Sequence, residues 1–223
     1  MKTKMKMDEG YSIISRIPSD KTFDEMFTSS QMQDIRKNKG KSGQLLETVI
    51  LHLGLSNRHL DFEDGELKSN KVKADGKPDE TMAICQISKI FDSLMVDNLN
   101  PYTTYIYDKI KNMIYVAIDK SSKEEGKWRI HHSKLVKDSN KKYEKFYKQC
   151  ADDIVLIFSK VRESLKNPEE TLHTTNGKYL QIRTKDSQPY HPIYSSVYNR
   201  NVSDKNFAIY MTKEGINALN EVE

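Results

Sequence analysis

The sequence predicts an α/β (α+β) protein with a mixed central β-sheet flanked by helices, and two patterns carry this prediction. Between Asp61 and Lys120, turn residues separate three segments with strand-like patterns, namely GELKSNKV, TMAICQI and MIYVAID. We expect these three segments to form the centre of one sheet. From about Asn140 to Leu165, apolar residues recur every three or four positions, which predicts the longest helix of the chain.

Further helices and strands are predicted on either side of this centre. Thr22 and Glu25 have the spacing of a capping box, which predicts a helix that enters the charged stretch up to Lys39. A second helix follows, with an apolar stripe made of Leu45, Leu46, Val49, Ile50 and Leu53. After the longest helix come a strand at 178–184, a polar loop, a strand at 207–211 and a short final helix. This order of elements fits a mixed sheet covered by helices.

Length, charge and cysteine content limit the class of protein. A chain of 223 residues predicts a single domain over 1–223. The 36 Lys and Arg residues exceed the 32 Asp and Glu residues by only four, so a nucleic-acid surface would have to be a local basic patch. The apolar runs are too short to cross a bilayer, which predicts a soluble cytoplasmic protein with no membrane partner. Cys85 and Cys150 lack a partner at metal or redox spacing and are expected to be free thiols.

The segment DFEDGELKSNK contains the pattern most indicative of chemistry. In a strand, Glu66 and Lys68 share one face about 7 Å apart, while Leu67 faces the core. Phosphodiester hydrolysis requires a hard cation, and Asp61 and Glu66 offer carboxylate ligands for Mg²⁺. Lys68 would orient the attacking water and stabilise charge in the transition state. The alternative is a solvated strand edge, on which the same charges have no common role.

Six segments, in family order, resemble MutH and the restriction enzymes that cut at GATC. Besides the acidic and basic triplet, they are NKGKSGQLLE at 38–47, GKPDETMAICQI at 76–87, DKIKNMIYV at 108–116, GKYLQIRTK at 177–185 and IYMTKEGINAL at 209–219. The resemblance implies the fold of the PD-(D/E)XK nucleases. The N-terminal stretch 1–37 matches less well, and the loop 186–206 matches poorly.

The resemblance implies a role for each matching residue of the catalytic centre. The implied catalytic residues are Asp61, Glu66, Lys68, Glu47 and Lys109. Glu47 would hold a metal-bound water, and Lys109 would offset charge on the scissile phosphate. The implied metal ligands are Asp61, Glu66 and the main-chain carbonyl of Leu67, with Mg²⁺ as cofactor and Mn²⁺ able to substitute. The gap between Asp61 and Glu66 is shorter than in MutH, so Asp64 is a competing carboxylate.

The resemblance also implies a set of DNA-binding residues. Arg183 is expected to read a base, since an arginine can present two donors to guanine. Lys185 is expected to contact a base or a phosphate, Lys39 to lie near the DNA backbone, and Tyr210 to lie near the adenine whose methylation the family senses. The tyrosines of the loop 186–206 either stack on bases or pack the loop.

The implied function is that of a type II restriction endonuclease that hydrolyses double-stranded DNA at GATC or a related site and leaves 5'-phosphate ends. Two alternatives remain open: a MutH-like mismatch-repair nickase activated by a MutL-type partner, and a catalytically inactive DNA-binding module. A restriction enzyme would share its system with an adenine methyltransferase, without direct contact. The chain would act as a monomer or as a dimer on DNA.

His131 and His132 are predicted to be surface histidines with no joint role. Adjacent residues of an extended segment point to opposite sides, and no His or Cys pair at ligand spacing accompanies them.

Overall fold

The computed structural model describes residues 5–37, 41–53, 60–185, 190 and 192–222. It is a mixed α+β structure with helices and several sheets. The chain divides into two compact units, unit 1 with Met1–Glu80 and Ile110–Ser139, and unit 2 with Thr81–Lys109 and Asn140–Glu223. That the whole chain forms a single domain stays a prediction.

The regular elements are as follows. The α-helices are α1 (Met7–Ile14), α2 (Phe23–Met26), α3 (Ser29–Lys37), α4 (Lys41–Leu45), α5 (Tyr105–Asp108), α6 (Glu144–Leu165) and α7 (Lys213–Glu221). The strands are β1 (Glu66–Val72), β2 (Met82–Gln86), β3 (Asn112–Asp119), β4 (Arg129–Lys137), β5 (Thr175–Asn176), β6 (Leu180–Thr184), β7 (Ile193–Ser195), β8 (Arg200–Ser203) and β9 (Phe207–Met211). A π-helix at Leu46–Ile50 continues α4, and 3₁₀ turns lie at Asp92–Leu94, Pro101–Thr103, Glu125–Lys127 and Lys141–Tyr143.

Unit 1 is built on a three-stranded mixed sheet. Its order is β1-β3-β4, with β1 parallel and β4 antiparallel to β3. The central strand β3 is buried along almost its whole length, and the core beneath it includes Phe62, Leu67 and Ile114. Because β1 lies at the edge of this sheet, the backbone groups on its outer side are available to other partners.

The predicted helix at Thr22 begins where the capping box places it. The Thr22 N–H and hydroxyl both donate to Oε2 of Glu25, at 2.7 and 2.9 Å. The helix nevertheless breaks at Phe27, whose backbone is extended and whose ring is buried, and α3 begins two residues later. The gain from burying Phe27 offsets the loss of helical hydrogen bonds at this point.

Unit 2 contains a second sheet with the order β2-β9-β6-β5, in which all pairings are antiparallel. The expectation that TMAICQI joins the other two segments in one sheet is therefore wrong, because β2 pairs with β9. Alternation of apolar residues specifies the two faces of a strand but not the neighbour that accepts its hydrogen bonds. The strands predicted at 178–184 and 207–211 are confirmed as β6 and β9.

The longest helix, α6, is confirmed, and it contacts β5 and β6 of this sheet. The predicted apolar stripe is buried throughout, at Tyr143, Phe146, Tyr147, Cys150, Ile154, Ile157, Phe158 and Val161. Part of the predicted loop 186–206 forms the short hairpin of β7 and β8. Among the described helices, none is long and apolar enough to span a membrane.

The arrangement of His131 and His132 in β4 differs from the predicted one. Ala117 pairs with His132 and Ile118 with Ile130, so His131 is the extra residue of a β-bulge. The bulge interrupts the alternation of side chains, and the Nδ1 atoms of the two histidines lie 2.8 Å apart. Both histidines are half-buried and in contact, so the expectation that they point to opposite sides is wrong.

Candidate active site

Two residues of the predicted triplet, Glu66 and Lys68, lie at the start of β1. Nζ of Lys68 is 2.8 Å from Oε2 of Glu66, which confirms that the acid and the base are neighbours on one face. The Glu66 side chain is 3% exposed and that of Lys68 is 13% exposed. Such burial strengthens the attraction between the two charges and fixes the position of the lysine ammonium group.

Asp61 lies against the outer edge of the same strand. Its Oδ2 accepts a hydrogen bond of 2.9 Å from the backbone N–H of Leu67. The N–H and C=O of one strand residue point to the same edge, so the Leu67 carbonyl also faces this outer edge. Backbone groups of alternate strand residues point to the same edge, and Lys71, four residues after Leu67, follows this rule because its carbonyl accepts the N–H of Asp79 on the outer side. Asp61 and the Leu67 carbonyl therefore share one edge.

The competing carboxylate, Asp64, has a different partner. Its Oδ1 accepts the backbone N–H of Met7 at the start of α1, at 2.9 Å. An anion at this position stabilises the helix N-terminus, where backbone N–H groups lack partners. The structure thus brings Asp61 to the Glu66 strand and uses the carboxylate of Asp64 to cap a helix.

Glu47 reaches the cluster from the π-helix that continues α4. A Cβ atom on Gly43 would lie 2.7 Å from Oγ of Ser69, so α4 lies close to β1 and a larger residue at position 43 would require the Ser69 hydroxyl to move. The following turn is widened, with the N–H of Leu51 bonded to the carbonyl of Leu46 at 3.0 Å. Single π turns of this kind occur frequently at functional sites.

The carboxylates of the cluster influence one another. The pKa of Glu47 is raised to about 7, first by burial and then by the negative charges of Asp61 and Glu66, while the positive charge of Lys68 opposes the rise. The pKa of Asp61 is also raised, first by burial and then by the charge of Glu66, against the opposing hydrogen bond from Leu67. Three carboxylates therefore lie close together in a partly desolvated cluster, and the single positive charge of Lys68 offsets only part of their negative charge.

The donor set suits Mg²⁺. Among the residues that the structure describes, no group of three or more His, Cys, Asp and Glu side chains stands at metal-ligand spacing. Mg²⁺ does not need such a group, since it usually binds one or two carboxylates and keeps several waters. Asp61 and Glu66 with the Leu67 carbonyl would supply oxygen ligands of that kind, and a divalent cation would offset their mutual repulsion.

Lys109 lies in unit 2, at a cavity of about 850 Å³. Lys109 is 8% exposed, and its ammonium is 5.3 Å from the centroid of the Tyr105 ring. Lys89 also lines the cavity, so two cations border it. The predicted role of Lys109 at a scissile phosphate stays a prediction.

The predicted base-reading strand, β6, has one buried and one accessible face. Leu180 and Ile182 are buried, and Arg183 is exposed on the opposite side, as alternation predicts. The guanidinium carbon of Arg183 lies 4.3 Å from the centroid of the Tyr210 ring, so the structure brings these two predicted residues together. In the described part of the chain, the Arg183 guanidinium stacks on this ring but makes no hydrogen bond. Its N–H groups therefore remain available as donors.

The other predicted DNA-binding residues are less closely associated. Lys185 follows β6, is half-buried, and its backbone N–H donates to the carbonyl of Asn206 at 2.8 Å. Lys39 lies outside the described residues. Arg200, from the loop that matched poorly, donates to the carbonyls of Leu165, Asn167 and Glu170 and therefore holds the loop to the end of α6.

Sequence reasoning missed Asp153, a buried acid on α6. Its carboxylate accepts the backbone N–H groups of Lys178, Tyr179 and Leu180 and the side-chain amide of Gln149. These bonds fix the turn from which β6 begins. The available signal was an aspartate at a position of α6 that the apolar period assigns to the buried side.

Comparison with models of protein families finds no match to this chain, and no curated protein matches it.

Proposed function

We propose that this protein is a Mg²⁺-dependent endonuclease that hydrolyses double-stranded DNA, with the fold of the PD-(D/E)XK nucleases. The observation that carries the proposal is the buried Glu66–Lys68 pair, with Nζ 2.8 Å from Oε2 and with Asp61 at the outer edge of the same strand. A solvated strand edge would leave these charges exposed and apart. Their burial has a desolvation cost that a functional role explains.

Each group of the cluster has a distinct task in this proposal. Asp61, Glu66 and the Leu67 carbonyl would hold Mg²⁺, or Mn²⁺ in its place, which when bound offsets charge on a phosphate oxygen and lowers the pKa of a water. Lys68 orients the attacking water and stabilises the charge that develops on the phosphate. Glu47, whose carboxylate is close enough to feel the charges of Asp61 and Glu66, would hold a metal-bound water. The phosphate remains on the 5' end of the product.

Sequence recognition is assigned to unit 2. Arg183 presents unused donors on the accessible face of β6, and Tyr210 supports its guanidinium by stacking. A guanidinium held in a plane is suited to the O6 and N7 acceptors of guanine. Lys185 and Lys39 would add contacts to bases or phosphates, and Lys109 would offset charge on the scissile phosphate.

We infer the role of a type II restriction enzyme at GATC or a related site, acting in the bacterial cytoplasm beside an adenine methyltransferase. The hairpin region of unit 2 supports this choice, because the loop that departs most from MutH follows the reading strand directly. The repair nickase with a MutL-type activator and the inactive DNA-binding module are outcomes of the test below.

The test is cleavage of supercoiled plasmid, methylated or unmethylated at GATC adenines, with and without Mg²⁺. We expect discrete linear fragments from the wild type with Mg²⁺ and none from Lys68→Ala, which still binds the DNA. The matched control is Lys71→Ala on the same strand, whose ammonium pairs instead with Asp79 at 2.6 Å. Slow open circles would indicate the nickase. Binding without cleavage by the wild type in Mg²⁺ or Mn²⁺ would indicate the inactive module.

A further inference from the structure

Gln181 lies between two residues of the accessible face of β6. It alternates with Tyr179 and Arg183 on that face, and its cross-strand neighbour on β9 is Tyr210. The Arg183 guanidinium stacks on the ring of Tyr210. Gln181 therefore belongs to the same surface as the arginine to which base recognition is assigned.

Gln181 is a half-buried residue, and in the part of the chain that the structure describes its side-chain amide makes no hydrogen bond. Other glutamines in comparable surroundings are engaged: Gln149 donates to Asp153 at 2.9 Å, and Gln31 accepts the N–H of Thr28 at 2.8 Å. Its two N–H donors and its carbonyl acceptor are therefore available to a ligand. A ligand with both a donor and an acceptor would satisfy it.

The start of β6 is held rigidly from two sides. Asp153 accepts three consecutive backbone N–H groups of the turn, and Thr212 donates its N–H to the carbonyl of Tyr179 at 2.8 Å. The Tyr179 ring also stacks on Phe146 with centroids 5.8 Å apart. Such support limits the movement of the strand and lowers the entropy cost of placing Gln181 against a partner.

We propose that Gln181 is a specificity-determining residue that recognises an adenine within two base pairs of the guanine contacted by Arg183. A glutamine amide can bond both N6 and N7 of adenine in the major groove, as an arginine bonds O6 and N7 of guanine. Two residues along a strand span about 6.8 Å, which is about two base-pair steps of 3.4 Å. The inference rests on the proposed endonuclease function.

The experiment uses the Lys68→Ala protein, which is expected to bind DNA without cutting it. The preferred duplex is first selected from a pool of random duplexes, and each adenine is then replaced by 7-deazaadenine, which lacks the N7 acceptor. We expect replacement of one adenine to weaken binding about 5- to 100-fold. We expect the added change Gln181→Ala to abolish this difference and Gln181→Glu to lower the preference for adenine, because a carboxylate cannot donate to N7.

The matched control is Gln33→Ala, which removes an exposed glutamine of α3 in unit 1 and is expected to keep the full effect of 7-deazaadenine. The inference is overturned if the Gln181→Ala protein folds and still discriminates against 7-deazaadenine as strongly as its parent. In that case selective binding of duplex DNA would remain, and the proposed function would stand. If neither the Lys68→Ala protein nor the wild type selected any DNA sequence, both this inference and the proposed endonuclease function would be overturned.

Discussion

The carboxylate of Asp61 and the backbone N–H of Leu67 are joined by a hydrogen bond of 2.9 Å across the outer edge of β1. Asp61→Asn would keep an acceptor for this bond and remove the charge. We expect cleavage to fall by at least about 100-fold, because the proposed metal ligand loses its charge, while the melting temperature is unchanged or raised. Plasmid cleavage and thermal unfolding measure the two effects.

The matched change for this prediction is Asp64→Asn. It removes the charge that faces the N-terminus of α1, so we expect a loss of about 0.5–1 kcal/mol of stability with normal cleavage. If Asp64→Asn rather than Asp61→Asn stopped cleavage, the assignment of the metal ligand would be wrong.

Glu47 gives the stability of the protein a specific dependence on pH. Its pKa is about 7 in the folded protein and about 4.3 in an unfolded chain, so the folded state binds its proton more tightly. The contribution to stability is fully present below about pH 4.3 and is lost as the pH rises through 7. We expect Glu47→Gln to raise the free energy of unfolding at pH 8 relative to the wild type, by on the order of 2 kcal/mol, with little difference at pH 4.

Urea unfolding at several pH values in the absence of divalent cations measures this dependence. Glu63→Gln is the control, since it neutralises an exposed acid near the cluster in sequence. Equal stabilisation of both variants at pH 8 would point to the net charge of the protein rather than to the buried carboxylate.

Binding of Mg²⁺ is predicted to be measurable without DNA. A ligand that binds only the folded state raises the melting temperature with concentration, and here it would also relieve the repulsion among carboxylates. We expect a larger rise at pH 8 than at pH 6, since protonation of Glu47 weakens the site. The rise should disappear in Glu66→Gln and persist in Asp92→Asn, which alters a carboxylate bonded to Ser195 and Ser196 in unit 2. An equal rise in both variants would contradict the proposed ligands.

Gly177 is predicted to be essential for the turn that Asp153 holds. A Cβ atom on Gly177 would lie 2.5 Å from Cγ of Asp153, so Gly177→Ala must displace the carboxylate from the N–H groups that it accepts. We expect a loss of about 1–3 kcal/mol in stability, the cost of leaving buried polar groups unsatisfied. Urea unfolding measures it, and exposed Lys178→Ala should change stability by less than about 0.5 kcal/mol. Similar losses of stability in both variants would show that the hydrogen bonds accepted by Asp153 contribute little to the stability of the protein.

The elements that could be predicted from sequence are those set by local patterns. The long stripe of α6, the capping box at Thr22 and the alternation of β6 each depend on residues a few positions apart, and each is confirmed. The contact between Glu66 and Lys68 was equally predictable, because alternate residues of a strand share a face.

The remaining features depend on tertiary contacts. The partner of β2 is chosen by packing within unit 2, which alternation does not encode. The strand β4 was missed because its side chains are mostly half-buried and its period is broken at the bulge of His131. Asp153 was missed for a related reason: its partners are backbone groups about 25 positions away, at Lys178 and beyond.

The π turn at Leu46–Ile50 makes the proposed catalytic cluster sensitive to the length of the chain rather than to its composition. A π turn accommodates one residue more than an α turn does, and an α-helix places successive residues about 100° apart around its axis. Removing one residue after Glu47 would regularise the helix and rotate the apolar stripe that follows against the core. The helix would gain regular hydrogen bonds while the packing of the core would be disrupted, so a deletion that improves secondary structure locally would dismantle the proposed active site.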